Sequence, residues 1–361
     1  MTGVAGDIGG WRRGRFAHVY AAIDLGTNNC RLLVARASAT GFDVIDAFSR
    51  PVRLGEKVAD QGRLCGEAIE RTMDALSICA AKIDRARVTR SRYIATEACR
   101  RADNAGWFLD AVRDRIGLDI ECVSPEEEAR LALASCHSLV DPAVPRVLLV
   151  DIGGGSTEVV WVEVVAHDGP ARSTDLRIID MVSIPWGVVT LTEAMVGQVR
   201  RDRPLPDGLY QSMIDRIRSS LAPFCAVNNV GSWVNAGAVQ MIGASGTVTT
   251  MAAHHMGLRR YNRAIVDGTW LDREAILRIG AELACKSVSE LVNVPCIGHD
   301  RADLALAGGA IFEAVCRHWP VATVRVADRG LREGVLADLM RQADRDADPV
   351  LARGSTQPTS H

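Results

Sequence analysis

Apolar residues recur along this chain in two periods that take turns. From His18 to Ser38 a strand-like apolar run breaks at Asp24-Leu25-Gly26 and resumes, predicting strand, glycine turn, strand; a third strand is expected near Val44–Arg53. Between Glu67 and Arg87 the period becomes helical, with Ile69, Met73, Leu76 and Ala80 on one face. Arg92–Thr96 and Leu118–Val123 read as strands flanking a helix at Asn104–Ile116. Pro125 suits the first turn of a helix over Glu126–Leu139, whose three leading glutamates lie at its positive end.

A turn-rich connector, Asp141-Pro142-Ala143-Val144-Pro145, marks a domain boundary. Beyond it Val147–Val165 repeats the opening layout: an apolar strand ending in Asp, a hydrophobe, glycine, small polar residues, a second apolar strand. The first copy turns at Asp24 and the second at Asp151. Helical patterns follow at Asp207–Ala222, Gly246–Met256, Asp272–Leu283 and Asp303–Cys316, then a strand at Val321–Val326 and a helix at Leu331–Met340. The expected fold is α/β, a duplication of one domain: residues 18–140 and 146–340, with flexible tails at 1–17 and 341–361.

With 361 residues, a formal charge of -2 and 24% charged residues, the chain lacks the basic excess of a nucleic-acid coat. No run approaches the ~20 apolar residues of a membrane span. The N-terminus has no secretory core segment. Ten cysteines without a CxxC pair read as reduced thiols of a cytoplasmic protein rather than a disulfide framework. The eight histidines show no metal spacing, and His299-Asp300 lacks the partners an HD-type metal site needs.

The chemistry concentrates in three loops. A strand followed by a glycine turn points backbone N–H groups at one spot, a nest for phosphate oxygens. Gly26, Thr27, Asn28 and Asn29 form one candidate; Gly153, Gly154, Gly155, Ser156 and Thr157 form a richer one. Either alone is also consistent with a plain hairpin, but matching loops in two domains favour phosphate. Gly243, Gly246 and Thr247 add a third loop, at a helix N-terminus that favours an anion. Asp24 and Asp151, at strand ends, are placed to hold a divalent metal.

The ordered set of motifs carries a resemblance. AIDLGTNNCRLLVA, RPVRLGE (50–56), ATEACRRADN (95–104), SPEEEARLAL (124–133), VDIGGGSTEVV, SIPWGVVTLTE (183–193), IGASGTVTTMA (242–252) and RADLALAGGAI (301–311) together resemble the exopolyphosphatase/guanosine pentaphosphatase family of the sugar kinase, actin and heat-shock chaperone superfamily. The resemblance implies two actin-like (ribonuclease H-like) domains around an active-site cleft, and hydrolysis of terminal phosphate from inorganic polyphosphate or guanosine pentaphosphate (pppGpp). It implies Glu128 as the base that deprotonates water, where composition alone allows an ordinary helix-end charge. It implies Mg2+ (or Mn2+) on Asp151 and Glu158, with Asp24 contributing, Arg100 on phosphate, and a homodimer to which Val335–Met340 contributes. Glu97 stands where the family usually has Ser, and Arg101 where it often has Glu. Arg31 and Arg53 are weaker phosphate candidates, and Arg200–Arg203 and Arg259–Arg263 are candidate grips on a polyphosphate chain. The chain is expected to be the short form, without the HD-type helical domain of longer members. Competing readings are an ATP-dependent kinase, which Glu128 disfavours, and a non-hydrolysing alarmone- or nucleotide-binding protein.

Overall fold

The computed structural model describes residues 14–167, 173–196, 201–299 and 301–347; Asp300, Arg200 and the outer tail residues lie outside them. The repeated pattern becomes two sheets of one topology. The first has the order β3-β2-β1-β4-β5, built from β1 (Val19–Leu25), β2 (Asn29–Ser38), β3 (Gly41–Pro51), β4 (Arg90–Ala95) and β5 (Ile120–Cys122). The second runs β8-β7-β6-β9-β11, from β6 (Arg146–Ile152), β7 (Thr157–His167), β8 (Ser173–Ile184), β9 (Val239–Ala244) and β11 (Thr323–Ala327). β10 (Trp270–Asp272) is added antiparallel at the β11 edge. In each sheet the first three strands are antiparallel, while the later two run parallel to the first.

The likeness extends to register. β3 carries a bulge at Ile45, opposite Val34/Ala35 of β2, and β8 carries one at Ile179, opposite Trp161/Val162 of β7. A bulge is a specific local device, so its recurrence at one place argues for a domain copied whole.

Central strands bury both faces. In β6, Val147 and Leu149 face one apolar cluster while Leu148 and Val150 face another. The helices Gly66–Arg85 and Ala105–Ile116 cover the outer face of the first sheet. Leu209–Asn228, Gly246–His255, Arg273–Ala284 and Ala305–His318 cover the outer face of the second. Between the sheets lie the helix Pro125–Cys136 and the closing helix Leu331–Ala347.

The closing helix departs from expectation. It continues past 340 to Ala347, and it packs against Pro125–Cys136 and the first sheet. Its apolar stripe, Leu331, Val335, Leu339 and Ala343, is buried there. Periodicity reveals such a stripe but not which surface covers it. The two helices approach so closely that a Cβ on Gly334 would lie 2.1 Å from Leu131 O. Residues 14–17, placed by the sequence in a tail, form a 3-10 turn on the end of this helix, where Arg15 N donates to Asp344 Oδ1 at 2.8 Å. Burial of Val335, Leu336, Leu339 and Met340 inside the chain also corrects the expectation that this segment serves a second copy.

Candidate active site

The two glycine turns meet. Gly26 N donates to Asn29 O at 2.9 Å, and Gly153 N donates to Ser156 O at 2.9 Å, so each hairpin closes by the same bond. These two N–H groups are therefore spent within the turns. The N–H groups of Thr27, Asn28, Gly154 and Gly155 have no hydrogen-bond partner among the described residues and remain available to a ligand. Glycine is required at the junction: a Cβ on Gly155 would lie 2.6 Å from Thr27 Oγ1, and one on Gly154 would lie 3.1 Å from Asn28 N. The short helix Val188–Leu191 pins the second turn, with Val188 N and Val189 N donating to Gly153 O and Gly154 O.

Around the junction opens a cleft lined from both domains. Of the predicted residues, Asp24, Gly26, Thr27, Asn28, Asn29, Glu128, Asp151, Gly153, Gly154, Gly155, Ser156, Gly246 and Thr247 all reach it, as does Arg31. Thr27 Oγ1 and Asn28 Oδ1 are buried without a hydrogen-bond partner, an expensive condition that a bound ligand relieves.

Several predicted residues stand elsewhere. Gly243 lies within β9, where a Cβ would press on Val248 at 3.0 Å, so it serves packing. Thr157 Oγ1 donates to Trp186 O at 2.7 Å and is fully buried. The third loop is partly spent on itself: Ser245 Oγ accepts from Thr247 N and Val248 N, each at 3.1 Å. Ser245 holds φ 152°, a backbone region disfavoured for a residue with a Cβ. Arg53 bonds Asp303 across the domains at 2.8 Å, and Arg263 is taken up by Asp328 O and Glu333. Arg100, expected on phosphate, turns inward. Its Nη1 donates to Glu128 Oε2 at 2.7 Å and to Val123 O at 3.0 Å, while Nη2 and Nε reach Glu97 Oε2.

Two cleft arginines passed unnoticed as ligands in the sequence. Arg301 Nη1 donates to Thr250 Oγ1 at 2.9 Å, and Arg329 is oriented by Asp267. Both line the cleft. Arg301 opens the RADLALAGGAI motif (301–311) and Arg329 lies beyond every motif of the resemblance, and nothing local tells that either side chain reaches the glycine turns.

Pro125–Cys136 presents Glu128 from its first turn. Ser124 caps that helix and Pro125 occupies its first turn. Glu128 is buried, and its carboxyl is pushed well above the usual range by loss of water and then by the Glu158 charge; Arg100 opposes both. Burial, then Glu158 and Asp24, raise Asp151 to about 8. Asp24 is raised by burial against the pull of Arg31 and Arg332. Glu158 is raised by burial although Ser183 Oγ and Ser156 Oγ each donate to its Oε1 at 2.7 Å.

Two buried carboxylates, Glu128 and Glu158, beside two half-buried ones, Asp24 and Asp151, call for a cation, and oxygen donors suit a hard divalent one. Among the described residues no three His, Cys, Asp or Glu side chains form a cage by themselves.

The model of the Ppx/GppA phosphatase family matches residues 33–343. Over 328 residues the chain is 29% identical to the guanosine-5'-triphosphate,3'-diphosphate pyrophosphatase of Photobacterium profundum. That match covers 91% of this chain but spans only 60% of the length of that curated relative. A solved exopolyphosphatase-like protein superposes with TM-score 0.78 at 27% identity, covering 90% of this chain and 98% of that one. The Ppx/GppA family member of Aquifex aeolicus superposes with TM-score 0.70 at 28% identity, covering 94% and 99%.

Proposed function

The chain belongs to the Ppx/GppA phosphatase family, and from that premise we propose that it is an exopolyphosphatase, releasing terminal orthophosphate from inorganic polyphosphate with Mg2+. The observation that carries the proposal is one cleft holding both glycine turns, with their unpaired N–H groups, and the buried carboxylate of Glu128.

The turns bind phosphate oxygens through the N–H groups of Thr27, Asn28, Gly154 and Gly155 and through the Thr27 hydroxyl. Glu128 takes the proton of the attacking water, and Arg100 holds one of its oxygens in place. Asp151 and Glu158, with Asp24 opposite, would hold Mg2+, which supplies neutralisation of phosphate charge when bound. A carboxylate base beside a water position makes the cleft hydrolytic rather than kinase-like.

Hydrolysis of guanosine pentaphosphate at its 5' end is the second reading, supported by the similarity to the Photobacterium protein. Cytoplasmic placement and a homodimer complete the proposal. All ten cysteines are free thiols, in keeping with the first. Among the described residues no helix is long and apolar enough to cross a membrane.

The test is phosphate release with Mg2+ from long-chain polyphosphate, guanosine pentaphosphate and ATP at equal concentration. Fastest release from polyphosphate supports the proposal, and preference for guanosine pentaphosphate moves it to the second reading. Silence on all three by folded, metal-bound protein leaves a non-hydrolysing nucleotide- or alarmone-binding protein.

A further inference from the structure

One carboxylate of the cleft neither holds metal nor takes the proton of water in the mechanism above. It is Glu97, the first residue of the short helix Glu97–Arg101. A Cβ on Gly155 would lie 2.8 Å from Glu97 Cγ and 2.6 Å from Thr27 Oγ1, so the Glu97 stem and the Thr27 hydroxyl flank the Gly155 backbone together. Thr27 is only 4% exposed, and its Oγ1 has no hydrogen-bond partner. An orphaned hydroxyl, an unpaired Gly155 N–H and a carboxylate therefore border one place at the junction of the two turns.

Arg100 occupies only half of the Glu97 carboxylate. Its Nε and Nη2 both donate to Oε2, at 3.1 and 2.9 Å, and Oε1 accepts no bond among the described residues. The titratable groups around Glu97 are Arg100 and Arg101 on its own helix, Glu128 on Pro125–Cys136, Glu158 on β7 and the Cys122 thiol on β5. Arg100 is itself divided between Glu97 and Glu128. A carboxylate paired with a guanidinium accepts hydrogen bonds and donates none. Such an acceptor repels a phosphate oxygen unless a proton lies between them.

In a linear polyphosphate that proton is found at one kind of position. Each internal phosphate has a single, strongly acidic hydroxyl. The terminal phosphate has a second, with a pKa of about 6 as in a phosphate monoester, so it can keep a proton near neutral pH. Resting on the phosphohydrolase reading above, we infer that Glu97 reads the chain end: Oε1 accepts a hydrogen bond from the protonated oxygen of the terminal phosphate and turns away internal phosphates, which have no proton to offer. Selection by an unanswered like charge acts against the wrong ligand rather than for the right one. The resembled family usually has Ser at this position, so the device belongs to this chain. Glu97 is a specificity-determining residue, and Glu128 remains the base.

Calorimetric titration of the whole chain with Mg2+ tests the inference. The probes are methylene-bridged tripolyphosphate, which keeps free ends and resists hydrolysis, tripolyphosphate with both ends esterified by methanol, and cyclic trimetaphosphate. Wild-type protein should prefer the free-ended probe at least about tenfold, the scale of one hydrogen bond to a charged group. That preference should fade as pH rises and the terminal proton is lost, while binding of the capped probe stays level. Glu97→Gln keeps the size of the side chain and should lose both the preference and its pH dependence. Equal binding of free-ended and capped probes by wild-type protein would overturn the inference, a result that needs no variant to fold. So would an unchanged preference in Glu97→Gln protein with wild-type circular dichroism. Because these titrations read binding alone, absence of phosphate release would sink the hydrolytic reading separately.

Discussion

Arg100 Nη1 donates to Glu128 Oε2 at 2.7 Å, while the rest of the Arg100 fork is held by Glu97. The guanidinium opposes the burial that pushes Glu128 upward. Removing it leaves the carboxyl protonated to higher pH, and only the ionised form can accept a proton. Arg100→Gln should therefore move the acid limb of the kcat profile to higher pH and lower kcat about tenfold or more, the scale of one charge-assisted bond. An unmoved limb would remove Arg100 from this positioning role.

Glu128→Gln keeps the shape of the side chain and its place among buried neighbours. It should bind polyphosphate and hydrolyse at least ~100-fold more slowly, the lower scale for loss of a general base. Near-normal phosphate release from this variant would show that another group takes the proton.

Asp151 in the folded chain holds its proton to about 8, against 3.8 when unperturbed. Between those values the folded state binds more protons than the unfolded state, so metal-free protein should lose stability as pH rises through that window. Mg2+ should restore the loss, because it supplies the missing countercharge. Asp151→Asn should flatten the pH slope in EDTA and raise the Mg2+ needed for activity. Thermal unfolding across the window, in EDTA and in Mg2+, reads both effects; identical curves in the two buffers would contradict the assignment.

Gly334→Ala tests the middle layer. A Cβ there would sit 2.1 Å from Leu131 O and 2.8 Å from Leu131 C, backbone atoms that move only if the two helices part. The helical gain from alanine, ~0.5–1 kcal/mol, is smaller than the overpacking cost of ~1–3 kcal/mol. A lower urea midpoint and reduced hydrolysis should appear together. An unchanged midpoint would mean that the helices separate freely.

The duplication was legible because hairpin, aspartate and glycine recur in sequence, and local chemistry forms a hairpin wherever it occurs. The place of Glu128 at the cleft was legible in its motif, and Pro125 marked its helix. What the residues withheld were partners distant in sequence. Arg100 looked like a phosphate ligand because nothing nearby shows that Glu97 and Glu128 both converge on it. Thr247 looked like an anion donor because the capping geometry of Ser245 exists only once the loop has folded. Gly243 shared the composition of a phosphate loop but lies inside a strand. The closing helix announced its stripe, yet its covering surface belongs to residues some two hundred positions earlier, as the Arg130–Asp338 pair shows.

That last helix also sets an order of events during synthesis. Glu128 emerges from the ribosome early, on a helix that the second sheet covers only in part and that Leu331–Ala347 finishes covering. A nascent chain can thus complete its first sheet, and much of its second, while the helix bearing the proposed base stays unseated. The cleft would be complete only once residues 331–347 have been made, and a chain cut short before residue 331 would hold both glycine turns but not the helix that seats Glu128.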